Sequence, residues 1–131
     1  MINKPTIDAV PLEEALIDIR KYKNFMKDHF KLEEKQILKA FTIHSVELLE
    51  AMGIDYTSIL PQYPSVRVYI GKKDGDEDEA FKLFLVPVDE NGKDVILKGP
   101  FKNLLATDEY VFDFTMPCPN TCDDSSPLAN A

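Results

Sequence analysis

Apolar residues recur at every third or fourth position near the start of the chain. Pro11 suits the first position of a helix, and Glu13 and Glu14 follow where the helix dipole favours negative charge. The repeat continues to Phe30 and predicts one amphipathic helix. Its apolar stripe consists of Leu12, Ala15, Leu16, Ile19, Tyr22, Met26 and Phe30.

Residues 33–52 carry a similar spacing, which predicts a second helix with Phe41 and Leu48 on its buried face. Gly53 follows where helices commonly end in a left-handed residue. We therefore expect an antiparallel helix pair joined by a short turn near Lys31.

After Pro64 the period of the pattern drops to two, which is typical of strands. Val66, Val68 and Ile70 form one set, and Arg67, Tyr69 and Gly71 form the other. Residues 81–89 are apolar on both faces and predict a central strand. Asn91–Gly92 predicts a tight hairpin turn because these residues readily adopt positive φ. Two further short strands are predicted at residues 95–99 and 109–116.

Strands joined by short turns after two helices predict an α+β fold. We expect the two N-terminal helices to pack on one face of a three- to four-stranded antiparallel meander sheet. The chain of 131 residues fits one domain, residues 1–131, with residues 116–131 as an irregular C-terminal tail.

Composition and charge narrow the class of partner. Hydrophobic residues make up 44% of the chain and charged residues 29%, as in ordinary globular proteins. The net charge of −8 repels phosphate backbones and anionic lipid, so we expect neither nucleic acid nor membrane as a partner. No apolar targeting segment follows Met1, which favours a cytoplasmic protein.

The chain has two cysteines, Cys118 and Cys122, and their spacing is not that of a CxxC motif. Only His29 and His44 could complete a four-ligand metal site with them, and neither histidine has a familiar spacing. An irregular tail whose reduced thiols are either packed or idle is therefore the favoured interpretation, and no cofactor is expected. The alternatives are a local disulfide, or a thiol- or metal-dependent protein centred on these two cysteines.

Two charged segments also fall short of known motifs. The acidic run of residues 74–79 lacks the glycine and glutamate of a calcium-binding loop and is typical of a solvated hairpin tip. Residues 20–39 contain seven lysines and arginines and three acidic residues. This positive segment leaves open an acidic partner protein or self-association. The chain contains no recognised catalytic motif, so an enzyme is less favoured, although a scattered active site stays open.

The remaining hypothesis concerns the sheet face opposite the helices. If Val66, Val68 and Ile70 point inward, the other set points outward and joins outward residues of the neighbouring strands. Aromatic residues beside an arginine are enriched at binding hot spots. We therefore expect a binding or interaction module that engages a partner protein, a second copy in a homodimer, or a small ligand. Segment 54–65 or the C-terminal tail could instead cover this face. The predicted site residues are Arg67, Tyr69, Phe84, Val86 and Asp113, with Asp113 pairing with Arg67.

Overall fold

The structure is a computed structural model that describes residues 9–55, 57, 60–75, 80–101, 104–113 and 123–131. Its elements follow one another as β1 (Ala9–Pro11), α1 (Leu12–Phe30), a 3₁₀ turn (Glu34–Gln36), β2 (Ala40–His44), α2 (Ser45–Ala51), β3 (Ser65–Lys72), β4 (Phe81–Val88), β5 (Leu97–Lys98) and β6 (Glu109–Asp113). The fold is α+β with an antiparallel sheet, as predicted, but the number and position of its elements differ from the prediction.

The first predicted helix is confirmed as α1. Pro11 occupies its N-cap position without a side-chain capping bond, Glu13 and Glu14 lie in its first turn, and Lys27 and His29 lie in its last. This distribution of charge complements the helix dipole at both ends. Lys31 then adopts the left-handed conformation with φ of 55°, which stops the helix at the predicted turn.

The predicted helix over residues 33–52 is wrong for most of its length. A single 3₁₀ turn opens it, strand β2 occupies its middle, and only α2 at its end is helical. Residues 40–44 (AFTIH) combine aromatic and β-branched side chains that pack well on a pleated surface, and pairing with β3 outweighs the helical spacing. Gly53, with φ of 77°, ends the short helix as predicted.

The sheet has the strand order β1-β6-β4-β3-β2, with β5 pairing beside β6. β3 and β4 form its longest hairpin and align Tyr69 with Phe84 and Arg67 with Val86. Pro87 is tolerated in β4 because its nitrogen faces away from β3, beyond the point at which β6 stops pairing. Its carbonyl accepts a hydrogen bond from Val95 N at 2.8 Å.

Helix α1 packs across the sheet, chiefly on β3. Ala15 and Ile19 of the helix contact a core that includes Phe84, Val86 and Val111. Gly71 permits this close approach: a Cβ built there would lie 2.6 Å from Cε2 of Phe84 and 3.2 Å from Cβ of Asp18. The glycine is therefore a packing requirement of the interface between helix and sheet.

The predicted orientation of the two faces is reversed. Helix α1 covers the face that carries Tyr69, Phe84 and Val86, and Phe84 and Val86 are only 1% and 4% exposed. Val66 and Val68 belong to the opposite face, where Phe41 is 53% exposed. Alternation along a strand groups the residues correctly but does not say which group the helix covers.

A hairpin turn at Asn91–Gly92 is present, although of these two residues only Gly92 adopts the expected positive φ. Gly92 has φ of 77°, and Asp89 N and Lys93 O join across the turn at 2.9 Å. The strand predicted at residues 95–99 is shorter, as β5, and pairs with β6. The last predicted strand is present as β6 up to Asp113, where the described range ends.

The described part of the predicted tail, residues 123–131, forms turns whose hydrogen bonds join residues of the same segment, such as Ser125 N to Asp123 Oδ1. Residues 114–122, including Cys118 and Cys122, lie outside the described residues. None of the helices in the described ranges combines the length and hydropathy that crossing a membrane requires.

Candidate functional site

A cavity of about 190 Å³ lies between α1 and the sheet. Its walls are apolar on both sides, and its polar members are the side chains of Tyr69 and Asp94. The lining residues are Leu12, Ala15, Leu16, Ile19, Tyr69, Phe84, Val86, Asp94, Ile96 and Val111. This apolar lining offers water few hydrogen-bonding partners.

Asp94 is the centre of the polar rim of this cavity. Its Oδ1 accepts a hydrogen bond from Nη1 of Arg67 at 2.7 Å, and its Oδ2 accepts one from the hydroxyl of Tyr69. Arg67 also donates from Nε to Oγ1 of Thr42 at 2.9 Å and from Nη2 to the carbonyl of Gly92 at 3.3 Å. The guanidinium thus binds the hairpin turn to β3 and fixes the carboxylate at the cavity.

The positive charge of Arg67 balances the negative charge of Asp94 at the rim of the cavity. Burial disfavours the charge on Arg67, but charge attraction and hydrogen bonding from Asp94 and Tyr69 together outweigh this effect and raise the pKa of Arg67. Burial raises the pKa of the Tyr69 hydroxyl, and its hydrogen bond to Asp94 adds to the rise. The side chains of Arg67 and Asp94 are 24% and 27% exposed, so the ion pair is partly withdrawn from solvent. Tyr69 therefore remains a neutral hydrogen-bond donor at neutral pH.

The structure brings four of the five predicted site residues together. Tyr69, Phe84 and Val86 line the cavity, and Arg67 reaches its rim through Asp94. They surround an internal space under α1 and do not form the outward patch that the sequence predicted.

The predicted pairing of Asp113 with Arg67 is wrong. Asp113 is aligned with Phe84 in β4, and that strand separates β6 from β3. Its carboxylate lies 3.7 Å from Nζ of Lys82 instead. Arg67 takes Asp94 as its acidic partner.

Asp94 is the residue that sequence reasoning missed. It stands in a polar run between a turn and a short strand, where no hydrophobic period marks it. The hairpin signal at Asn91–Gly92 was the available clue, because a tight turn returns the chain beside β4 within two or three residues. Val88 and Asp94 indeed form a bridge directly after this turn.

A second buried charge lies nearby on α1. Asp18 is 3% exposed, and its Oδ2 lies 3.0 Å from Nζ of Lys73, although the contact lacks the alignment of a hydrogen bond. Contact with this carboxylate raises the pKa of Lys73. The ion pair fastens α1 to the end of β3 near Gly71, so its contribution is to the structure.

Three lysines of the basic segment 20–39 contact the side chain of Glu34. Lys23, Lys27 and Lys39 lie 3.2, 2.6 and 3.1 Å from the carboxylate oxygens of Glu34. Contacts with Lys27, then Lys39 and Lys23, lower the pKa of Glu34 from 4.5 to about 2. Three cations around one carboxylate leave this surface positive.

A second cleft, of about 230 Å³, lies on the opposite sheet face. Residues 61–63 cover part of that face beside Val66, Leu85 and Phe112. Its buried hydroxyl, Ser45 Oγ, already donates to the carbonyl of Tyr63 at 2.7 Å. The cleft therefore offers less for recognition than the cavity beside Asp94.

Within the described ranges, no three histidine, cysteine or acidic side chains are grouped as metal ligands would be. The predicted thiol or metal alternative depends on Cys118 and Cys122, outside those ranges, and stays a prediction. The acidic run is described only at residues 74 and 75, where Asp74 contacts Lys21 at 3.1 Å.

Comparison with protein-family models, with curated proteins and with solved structures found no significant match.

Proposed function

We propose that this protein is a small binding module that holds a compact, largely apolar ligand in the cavity between α1 and the sheet. The observation that carries the proposal is an apolar space of about 190 Å³ in which Asp94 is the one carboxylate among the described lining residues. Small-molecule sites commonly combine apolar walls with a few placed polar groups.

The size of the cavity limits the ligand. A dry apolar cavity of about 150 Å³ accommodates one benzene molecule, so this space suits one aromatic ring with a small substituent. A ligand that fills it would remove apolar surface of the lining residues from water.

The rim limits the chemistry of the ligand. Arg67 already balances the charge of Asp94, so the site favours a neutral ligand over a cation. Each oxygen of Asp94 accepts one protein hydrogen bond and retains a further lone pair. A neutral donor such as a phenolic hydroxyl therefore matches the rim.

Phenol and toluene test this proposal because they share size and differ in the donor group. Both should shift the amide signals of Ala15 and Val111 in NMR titrations, and phenol should bind about fivefold more tightly, as one hydrogen bond of about 1 kcal/mol implies. Asp94→Ala should remove the preference for phenol. If neither probe shifts these signals at millimolar concentration, the proposal is wrong.

Filling variants locate the site. Ala15→Leu fills the cavity from the helix and Val111→Leu fills it from the sheet, so both should abolish binding of the two probes. Ile17→Leu is the matched control on α1, because Ile17 is 48% exposed and does not line the cavity. Unchanged binding in both filling variants would place the ligand elsewhere.

A further inference from the structure

Strand β2 forms one edge of the sheet and carries none of the usual protection of an edge. It pairs with β3 on one side, and no described residue pairs with its other side. Its sequence, AFTIH, contains no proline and no lysine, arginine or acidic residue. Exposed edges of this kind are templates for pairing with another strand.

The free hydrogen-bonding groups of this edge can be assigned. Ile70 N donates to Lys39 O at 3.1 Å, and Ser45 N donates to Pro64 O at 2.8 Å. Since antiparallel bonds alternate along a strand, Phe41 and Ile43 direct their backbone groups toward β3. The N–H and C=O groups of Ala40, Thr42 and His44 point away from β3, toward the free edge.

We propose that β2 pairs antiparallel with β2 of a second copy of this chain, with the two-fold axis at Thr42. This register pairs Thr42 with its own counterpart and Ala40 with His44 of the other copy. All three free residues of each strand then form ladder hydrogen bonds, and the sheet continues across both molecules. The proposal is independent of the ligand cavity.

The same register also matches the side chains. Phe41 and Ile43 share the face opposite α1, and the axis at Thr42 sets Phe41 of each copy against Ile43 of the other. Phe41 is 53% exposed in the single chain, so this contact would remove apolar surface from water. Cross-strand pairs of an aromatic and a β-branched residue stabilise antiparallel sheets.

Charges beside β2 favour a second copy over an unrelated strand. The positive surface around Glu34, together with Lys35, whose side chain is 84% exposed, precedes β2. The exposed acids Glu47 and Glu50 follow it. Antiparallel pairing sets the basic flank of each copy beside the acidic flank of the other, and self-pairing achieves this match twice.

The edge formed by strand β1, at the other end of the sheet, is protected against pairing. Strand β1 has only three residues and ends in Pro11, which lacks an N–H group. Short length and proline are standard protection against edge pairing. Among the described residues, β2 is therefore better suited to a partner strand than β1 is.

The test uses the full chain and the variant Thr42→Pro. The Thr42 N–H faces the free edge, so proline removes the central bonds of the proposed dimer and spares the bonds to β3. Thr42→Val is the matched control, because it loses the contact with Arg67 but keeps the N–H. Sedimentation equilibrium from micromolar to near-millimolar protein should show a dimer for wild type and Thr42→Val. The weight-average mass of Thr42→Pro should fall to half.

Amide exchange in the wild type gives a readout that does not depend on a variant folding. The amides of Ala40, Thr42 and His44 should gain protection as concentration rises, whereas those of Phe41 and Ile43 stay protected throughout. A wild-type monomer at all concentrations would overturn the proposal. A dimer in which these three amides exchange as fast as in the monomer would also overturn it, because another surface would then form the interface.

Discussion

Tyr69 and Asp94 lie 25 positions apart in the chain, and the phenolic hydroxyl of Tyr69 donates a hydrogen bond to Oδ2 of Asp94. This contact joins the middle of β3 to the segment that follows the hairpin turn. Among the described residues that line the cavity, it sets the one acidic side chain against the one phenol. The position of the carboxylate at the cavity therefore depends on Tyr69 as well as on Arg67.

Tyr69→Phe should destabilise the fold without disrupting its packing, because it removes the hydroxyl and keeps the ring. Hydrogen bonds to charged groups contribute about 1.5–3 kcal/mol, and the partial exposure of Asp94 favours the lower end of that range. Urea unfolding would measure the loss. In a double-mutant cycle with Asp94→Asn, additive losses would show that the two side chains do not interact.

The raised pKa of Tyr69 predicts a loss of stability at alkaline pH. The unfolded chain releases tyrosine protons near the ordinary value of 10.0, whereas the folded protein retains the proton of Tyr69 to higher pH. The stabilising contribution is thus complete below about pH 10 and is lost as the pH rises through the folded value. Tyr69→Phe should show a flatter decline of unfolding free energy above this pH than wild type.

Tyr22 supplies the comparison for this experiment. Burial raises its pKa too, and its hydroxyl donates to the carbonyl of Leu38 at 2.7 Å. Tyr22→Phe should remove a separate share of the alkaline decline, and the double variant should remove both shares. An unchanged slope in Tyr69→Phe would contradict the assigned environment.

Glu34 predicts an effect at acid pH with the opposite sign. Its pKa falls from 4.5 to about 2 on folding, so its contribution is complete above pH 4.5 and is lost as the pH falls between these values. Glu34→Gln should flatten this part of the pH–stability curve. Because the carboxylate is exposed, molar salt should flatten the wild-type curve as well. The carboxylate of Glu33 lies 3.8 Å from Nζ of Lys35. Glu33→Gln should therefore change the pH–stability curve less than Glu34→Gln does.

Gly71→Ala should destabilise the interface between α1 and the sheet by about 1–3 kcal/mol, the usual cost of overpacking. The new Cβ would lie 2.6 Å from Cε2 of Phe84. Phe84→Leu removes that atom, so the double variant should lose less stability than the sum of the single variants. Thermal unfolding of all four proteins would measure the coupling, and simple additivity would show that the clash is relieved elsewhere.

Phe41 and Val68 are cross-strand partners with different exposure. Phe41 is 53% exposed and Val68 only 7%. Under monomeric conditions Phe41→Ala should therefore cost about 1 kcal/mol or less, whereas Val68→Ala should cost about 2 kcal/mol. Chemical denaturation at low protein concentration would measure both. The reverse order would restore the sequence-based expectation that Phe41 is a core residue.

The elements that sequence reasoning located are those whose own residues determine them. A 19-residue helix offers five turns of periodic pattern, and the left-handed Lys31 follows directly after it. The hairpin turn depends on two adjacent residues, Asn91 and Gly92. Strand β1 has three residues, which are too few to show a period, and β2 depends on a neighbour that lies more than twenty residues away.

Part of the candidate site was predictable from the sequence, but Asp94 was missed and the orientation of the site was not predicted. Alternation correctly grouped Tyr69 with Arg67, and the same reasoning grouped Phe84 with Val86. Which group faces the helix depends on how closely α1 approaches, and Gly71 decides this by leaving room beside Asp18. The orientation is thus marked by a glycine, a residue without a side chain, which a pattern of apolar residues does not reveal.

The turn between β4 and Asp94 is the feature that most restricts length changes in this chain. Asp94 pairs with Val88 directly after the hydrogen bond between Asp89 and Lys93 closes the turn. The number of residues in the turn therefore determines the position of the Asp94 carboxylate. One inserted residue would advance the returning strand by half of its two-residue period and direct the side chain to the opposite face. Homologues that keep this cavity should therefore preserve the length of this connection more strictly than its residue identities.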